Sequence, residues 1–334
     1  MPRRPTRNFS RGALFPVLVD GAMPMGCLHS QLTAAGPETR LAGQLLHCPV
    51  FSFGVKSVDG FTLRLEGMVS STESQIHLTF DEADGRGMVA RITIDHQSHL
   101  NILNTSLILA LTSVVNSLRT YDRLRVVILT GAGDRAFIGG ADIREMVGLD
   151  VASAREFIFR LHLACAALRT LPVPVIARVS GYCLGAGLEV AASCDLRVAA
   201  DHATFGMPEV KVGVPSVIEA ALLPRLIGLG KAAELVLTGA TLSAAEALHC
   251  GLVACVVPRA ELDGVVERWT HAILQAGPHA VRLQKALLQD WAQLPLEQAI
   301  ARGIASFSAA YRTAEPRELM TQFLQRHRPH ADTR

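Results

Sequence analysis

The sequence predicts an α/β fold with a helical C-terminal region. Three observations lead to this prediction. Strands alternate with helices from about residue 75, the later strands are uninterruptedly apolar, and only helical periodicity remains after about residue 261. A chain of 334 residues with 49% hydrophobic side chains can bury a large core. Residues 1–70 lack clear periodicity, so we expect a disordered extension there, a core at 71–261 and helices at 262–334.

The core begins with a predicted β-hairpin. Apolar and polar side chains alternate at 75–80 and again at 88–95, and the residues between these segments are typical of a turn. A helix is predicted next, because its apolar positions share one face and Asn104 is a suitable N-cap. The remaining predictions are strands at 126–130 and 175–180 and helices at 105–119, 153–170, 262–275, 279–290, 296–312 and 316–326.

Composition excludes several classes of protein. A net charge of +2 and 5% aromatic residues argue against a nucleic-acid partner. The seven cysteines form no CxxC pair, so we expect neither a disulfide framework nor an oxidising compartment. The twelve histidines include no HExxH motif, and we expect no metal site.

The sequence also bears on location. No apolar run reaches the roughly 18 residues that a membrane span needs, so we expect no membrane association. We predict a cytoplasmic protein. The first residues are rich in arginine and no acidic residue precedes Asp20, so a transit peptide for the mitochondrial matrix is the alternative.

The first candidate site lies at 180–192, where a buried strand passes through small residues into a helix. Small residues allow a ligand to approach the backbone, and the first amides of a helix have no partner within it. These amides can bind an oxyanion, and Glu189 lies about one turn further on. The alternative is a tight turn followed by a solvated glutamate.

Two further segments add candidate groups. At 135–146 a second strand and turn offer more free amides, and two amides on one oxygen form an oxyanion hole worth about 3–4 kcal/mol per donor. Glu209 follows Pro208 in an apolar neighbourhood, where desolvation favours a raised pKa and general acid–base chemistry. A glutamate that simply begins a helical turn is the alternative. The sequence contains no GxSxG motif, P-loop or dinucleotide fingerprint.

These motifs, in this order, resemble the enoyl-CoA hydratase/isomerase family, or crotonase superfamily. The similar segments are AFIGGADIREM at 136–146, GYCLGAGLEVAASCD at 181–195 and ATFGMPE at 203–209, with weaker echoes at 99–103, 237–239 and 243–253. The resemblance extends over about residues 75–330.

The resemblance implies a crotonase-like spiral of ββα turns and a C-terminal helical trimerisation region, hence a homotrimer or homohexamer. It implies an enoyl-CoA hydratase, a hydro-lyase that adds water across the 2,3-double bond of an acyl-CoA thioester to give a 3-hydroxyacyl-CoA. Coenzyme A is then part of the substrate, and no separate cofactor is expected.

By the same resemblance, the amides of Ala141 and Ala186 hold the thioester oxygen. Glu189 helps to activate a water, and Glu209 delivers a proton to the α-carbon. Substrate contacts are further implied at Asp142, Ile143, Arg144, His99 and Leu100.

The sequence departs from the family pattern in three places. Ala186 stands where the family has glycine, and His99 replaces a small residue. The segment 215–220 is bulkier than the family's glycine-rich stretch and contains a third acid, Glu219, for which we expect a structural role. We therefore expect an unusual or restricted acyl group. An isomerase or a hydratase-lyase is the alternative, and a non-catalytic acyl-CoA-binding scaffold is a third hypothesis.

Overall fold

A computed structural model describes residues 53–58, 62–67, 74–83 and 85–326, with only the backbone described at 53–58, 62–67 and 326. Its strands form two sheets. The strands are β1 Phe53–Val58, β2 Thr62–Gly67, β3 Gln75–Glu82, β4 Met88–Asp95, β5 Leu124–Gly131, β6 Ala136–Ile138, β7 Val175–Val179, β8 Tyr182–Leu184, β9 Leu196–Ala200, β10 Thr204–Gly206, β11 Thr241–Ser243 and β12 Cys255–Val257.

The two sheets are built together as the chain advances. The larger sheet has the order β1-β2-β3-β4-β5-β7-β9-β12, antiparallel from β1 to β4 and parallel from β4 onward. The smaller sheet has the order β11-β10-β8-β6, in which β6, β8 and β10 are parallel. Each of the pairs β5–β6, β7–β8 and β9–β10 therefore contributes one strand to each sheet, and the predicted spiral of ββα turns is confirmed.

Helices cover the sheets and form the C-terminal region. The helices are α1 Thr105–Ser117, α2 Ile143–Met146, α3 Val151–Thr170, α4 Ala186–Ala192, α5 Leu223–Ile227, α6 Leu229–Thr238, α7 Ala244–His249, α8 Leu262–Gln275, α9 Pro278–Gln293, α10 Leu296–Ala310 and α11 Glu315–Arg326. Short 3-10 helices at Glu209–Val212 and Ile218–Leu222 lie between β10 and α5.

Burial explains why the strands were readable from the sequence. Every residue of β5 is buried, as expected for a parallel strand covered on both faces. Strand β3 instead alternates between buried and partly exposed side chains over its first six residues. Helix α3 begins two residues before its predicted start, because Asp150 and Ser153 form a reciprocal capping box.

The C-terminal helices are not a separate unit. Val265 and Val266 of α8 belong to the same buried cluster as Val126 and Ile128 of β5. Lys285 of α9 is buried, and its Nζ lies 2.7 Å from a carboxylate oxygen of Asp195. The boundary expected at residue 262 therefore marks a change in secondary structure, while the hydrophobic core continues across it.

The beginning of the fold differs from the expectation for residues 1–70. Strands β1 and β2 pair with each other, and β2 pairs with β3, so residues 53–67 contribute to the larger sheet. Without them β3 would be an edge strand with unpaired backbone groups. Their alternation is short and includes several polar residues, which is why the sequence did not single them out. The rest of the expected extension, apart from these strands, lies outside the described residues.

Of the helices in the described residues, none is both long enough and apolar enough to cross a membrane.

Candidate functional site

The three candidate segments lie at one edge of the smaller sheet. Strands β6, β8 and β10 are parallel neighbours, and the segments at 139–146, 185–192 and 207–210 each follow one of them. Because the carboxyl ends of parallel strands meet at one edge, the topology brings together groups that are about 70 residues apart in the sequence.

The Ala141 amide lies just beyond β6, opposite Leu103. Leu103 donates its N–H to Gly140 O at 2.8 Å, and Asp142 donates its N–H to Leu103 O at 2.9 Å. In such a parallel bridge the groups of the intervening residue point to the opposite side. The bridge therefore turns the N–H of Ala141 away from Leu103.

The Ala186 amide is the first of helix α4, after Gly185 at φ +52° and ψ −119°. Gly185 donates its N–H to Gly206 O at 2.9 Å, and Glu189 closes the first helical turn by donating its N–H to Gly185 O at 3.1 Å. The Ala186 N–H, as an N1 group, has no acceptor within the helix.

Glycine at position 187 permits the close approach of these two turns. A Cβ on Gly187 would lie 2.1 Å from Ile138 O, so only glycine allows α4 to pack so closely on β6. This contact sets the turn that contains Ala186 beside the segment that leads to Ala141.

Glu189 is buried at the start of α4, with 4% of its surface exposed. Its Oε1 accepts a 3.2 Å hydrogen bond from the N–H of Ala220. Burial raises the pKa of Glu189 to about 8, the Ala220 amide opposes that rise, and the charges of Glu209 and Glu219 add to it. A carboxyl group with a pKa near neutrality is suited to proton transfer.

Glu209 begins the 3-10 helix after Pro208 and is only partly buried. Its Oε2 accepts a 2.8 Å hydrogen bond from the Ser216 hydroxyl. Its Oε1 lies 2.8 Å from where a Cβ would stand on Gly185, so this oxygen faces the turn that precedes Ala186. The structure therefore brings Glu209 to the same turn from which Glu189 extends.

The three residues after Ala141 have different environments. Asp142 is buried, and its Oδ1 accepts hydrogen bonds from the backbone N–H of Arg144 at 2.9 Å and from the Arg144 Nε at 3.1 Å. Burial alone would raise the pKa of Asp142, but the hydrogen bonds and charge of Arg144 outweigh it and hold the pKa below its ordinary value. The Asp142 carboxylate thus caps α2, whereas Ile143 and Arg144 are exposed and accessible to a ligand.

His99 and Leu100 lie on the loop that supports the Ala141 segment. Leu100 adopts a left-handed conformation at φ +57°, and its carbonyl accepts the N–H of Gly139 at 2.9 Å. The His99 ring is 4.7 Å from that of His96, measured between centroids, and its Nδ1 is 2.9 Å from the Ser98 hydroxyl. Leu100 thus contacts the backbone beside the candidate oxyanion site, and His99 ends the 3-10 helix Gln97–His99 that precedes it.

Asn101 holds this loop and was not identified as a site residue from the sequence. Its side chain is buried and donates to the carbonyls of Ala132 at 3.0 Å and Ala136 at 2.7 Å. It also accepts the N–H of His96 at 2.9 Å. Its place in the segment 99–103, one of the weaker similarities to the family pattern, was the one signal available in the sequence.

Ser216 and Ala220 were also missed as site residues, although their segment was recognised as unusual. Ser216 binds Glu209 and Ala220 binds Glu189, so one short segment holds both acids. A cavity of about 570 Å³ opens beside this segment. Its lining is mostly apolar and includes Ser216, Val217, Ile218, Ala220, Ala232 and Val236.

Comparisons with known proteins identify the family of this chain. The family model described as enoyl-CoA hydratase/isomerase matches residues 84–334. A short-chain enoyl-CoA hydratase from Clostridium acetobutylicum is 35% identical over 241 residues, which is 72% of this chain and 92% of that protein. A crotonyl-CoA hydratase from Syntrophomonas wolfei is 36% identical over 245 residues, covering 71% of this chain and 92% of that protein.

Solved structures show the same similarity. The crystal structure of an enoyl-CoA hydratase from Bacillus anthracis matches with a TM-score of 0.71 and 32% identity, over 75% of this chain and 97% of that one. Together with the ββα spiral and the paired glutamates at its edge, these matches show that the chain belongs to the enoyl-CoA hydratase/isomerase family.

Proposed function

We propose that this protein is an enoyl-CoA hydratase that adds water across the 2,3-double bond of an enoyl-CoA thioester to give a 3-hydroxyacyl-CoA. One observation carries the proposal: Glu209 Oε1 faces the Gly185 turn beside the Ala186 amide, and the charge of Glu209 acts on Glu189 in the first turn of the helix that follows. The curated relatives named as hydratases support it.

In this mechanism two backbone amides bind the thioester oxygen. Attack at the β-carbon moves the electrons of the double bond onto that oxygen as an enolate. The N–H groups of Ala141 and Ala186 stabilise the charge where it develops, and the effect of one such donor is about 3–4 kcal/mol. Their placement beyond β6 and β8 supports this assignment.

The two glutamates handle the protons. The water oxygen bonds to the β-carbon while its proton passes to the carboxylate of Glu189. Glu209 then gives its proton to the α-carbon, and proton transfer from Glu189 to Glu209 restores the starting state. Burial raises the pKa of Glu189 to about 8, which makes its ionised form a stronger base toward the water.

The reaction needs only the substrate and water. Addition of water to a conjugated thioester leaves the total oxidation state unchanged, so we propose no cofactor beyond the coenzyme A of the substrate. Ile143 and Arg144 are exposed where the coenzyme A would pass. The apolar cavity beside Ser216 and Ala220 favours a neutral apolar acyl group.

We also propose a homotrimer or homohexamer. Helix α10 exposes large apolar side chains with a spacing of three to four residues, which places them on one face. These residues are Leu296, Ile300, Ile304 and Phe307. Such a stripe is typical of a protein interface, and light scattering after size exclusion distinguishes the two assemblies. A cytoplasmic location stays a prediction, as does its mitochondrial alternative.

The test is turnover of a panel of enoyl-CoA thioesters by the purified full-length chain. A hydratase removes the absorbance of the conjugated thioester and adds the mass of one water to the substrate. Glu189→Gln and Glu209→Gln should each lower kcat by about 100-fold or more, since each removes a proton-transfer group. Turnover without a change in mass would instead identify an isomerase, and cleavage of the acyl chain would identify a lyase. Binding of the thioester without turnover would identify a scaffold.

A further inference from the structure

The buried acid Glu219 lies one residue before the amide that binds Glu189. Glu219 and Ala220 share the 3-10 helix Ile218–Leu222. The Ala220 N–H donates to Val217 O at 2.9 Å and to Glu189 Oε1 at 3.2 Å. The Glu219 side chain is 3% exposed, so its carboxylate points into the protein. An acid buried so deeply requires partners.

Helix α3 provides those partners. His162 Nδ1 lies 3.0 Å from Glu219 Oε1, and Arg169 Nη2 lies 3.3 Å from the same oxygen. His162 and Arg169 are seven residues apart, which places both side chains on one face of α3. The carboxylate of Glu219 is therefore tethered to a long helix at two points.

The backbone beside this tether is strained. Ile218 has φ +36°, a left-handed conformation that a β-branched residue adopts only when its surroundings impose it. The Glu219 tether lies directly after this strained residue, and the Ala220 amide follows. If the tether is removed, the 3-10 helix can relax and withdraw the Ala220 N–H from Glu189.

We propose that Glu219 is a positioning residue, whose attachment to His162 and Arg169 holds the Ala220 N–H on the carboxylate of Glu189. The proposal rests on the proposed hydratase function, because it concerns the acid that activates the water. Glu219 itself does not contact the reacting atoms. Where the family pattern has flexible glycines, the bulky segment at 215–220 of this chain is thus held by the contacts of Glu219 to α3.

The test must separate the position of Glu219 from its charge. Glu219→Ala and Glu219→Gln remove the same negative charge, but glutamine still offers an oxygen to Arg169 and His162. A difference between the two variants therefore does not come from the charge of Glu219. The charged or titratable groups near Glu189 and Glu219 are Glu209, His162, Cys165 and Arg169, and all are retained in both variants.

The first readout is hydrogen exchange of peptides that cover residues 217–222, which does not depend on turnover. We expect exchange about tenfold faster in Glu219→Ala than in Glu219→Gln, because relaxation of the 3-10 helix weakens both hydrogen bonds of the Ala220 amide, to Val217 O and to Glu189. If Glu219→Ala fails to fold, Arg169→Met replaces it in this measurement. The Arg169 side chain is partly exposed, and its loss should also accelerate exchange. Glu156→Ala is the matched control, because Glu156 pairs with Arg160 on the outer surface of the same helix.

The second readout is kinetic. Relative to Glu219→Gln, we expect Glu219→Ala to lower kcat about tenfold with KM nearly unchanged. The pH limb that belongs to Glu189 should move to higher pH by about one unit, since the amide donor that favours its charged form is lost. Equal exchange in the two variants, or faster exchange with unchanged kcat and pH profile, would overturn the proposal. Absence of wild-type turnover on the whole panel would overturn the proposed function instead, whatever the exchange data show.

Discussion

The Ser216 hydroxyl donates a 2.8 Å hydrogen bond to Oε2 of Glu209. The loop between them is closed a second time by the N–H of Val214, which donates to Glu209 O at 3.2 Å. With Oε2 occupied by Ser216, Oε1 is the oxygen that faces the Gly185 turn. A neutral serine thus determines which oxygen of the acid faces the Gly185 turn.

Replacement of Ser216 by alanine should lower kcat. A single hydrogen bond of this kind contributes about 0.5–1.5 kcal/mol, so we expect a loss of roughly two- to tenfold in kcat. Stopped-flow or steady-state assays with the preferred enoyl-CoA measure the effect. Ser117→Ala is the control, because the Ser117 hydroxyl donates to Val114 O within α1, far from the acids in the sequence and the fold. Equal kcat in Ser216→Ala and the wild type would contradict this role.

Gly185→Ala should abolish most of the activity. The backbone at φ +52° and ψ −119° is accessible to glycine and unfavourable for alanine. The new methyl group would lie 2.8 Å from Glu209 Oε1, and the flexible carboxylate would move away from the turn. We expect a fall in kcat of about 100-fold or more, because an acid displaced by about 1 Å transfers protons poorly.

The matched control for this substitution is Gly264→Ala in helix α8. A Cβ at Gly264 meets no atom within 4 Å. Alanine is also the better helix former, so the free energy of unfolding should rise by about 0.5–1 kcal/mol with unchanged kcat. If Gly185→Ala behaves like Gly264→Ala, the contact between Glu209 and the turn is not needed for the reaction.

Asn101→Ala should lower the free energy of unfolding substantially and should affect the free energy of substrate binding less. The variant leaves the carbonyls of Ala132 and Ala136 and the N–H of His96 without their buried partner. We expect the free energy of unfolding to fall by about 2–4 kcal/mol. Urea denaturation measures this loss. Asn104→Ala removes only the cap of α1 and should cost about 1 kcal/mol, and equal losses for both asparagines would contradict a central role for Asn101.

The order of elements could be predicted from the sequence because their burial is regular. Strand β5 is an unbroken apolar run, and helix α8 was predicted with the bounds that the structure shows. The two glutamates were also recognisable, because acids at 189 and 209 stand in apolar segments with small neighbours. In each case the signal lies within one short stretch of chain.

The supporting residues depend on contacts between distant segments and left no such signal. Asn101 binds carbonyls more than 30 residues away, and Ala220 serves through a backbone N–H that any residue except proline would provide. Glu219 was recognised as unusual, but its partners His162 and Arg169 lie more than 45 residues earlier. The substrate contact of Asp142 stays a prediction, and the structure adds that its carboxylate caps α2 by accepting hydrogen bonds from Arg144.

The stability of the Glu189→Gln variant, measured relative to the wild type, should increase as the pH rises. Burial raises the pKa of Glu189 to about 8 in the folded protein, against an ordinary value of 4.5. Between these values the folded state binds more protons than the unfolded state, so the free energy of unfolding falls with increasing pH. Glutamine does not titrate and can still accept the N–H of Ala220. Its advantage over the wild type should therefore grow from pH 5 to pH 8, to the order of a few kcal/mol.

Chemical denaturation of both proteins across this pH range provides the measurement. Glu246→Gln is the control, because the pKa of Glu246 is shifted in the opposite direction: hydrogen bonds from Ser243 lower it. Glu246 is ionised throughout the range from pH 5 to pH 8, so the stability difference between its variant and the wild type should be flat there and shrink only in more acidic solution. A flat difference for Glu189→Gln as well would show that Glu189 ionises freely in the folded protein, and burial would then not be what prepares it for proton transfer.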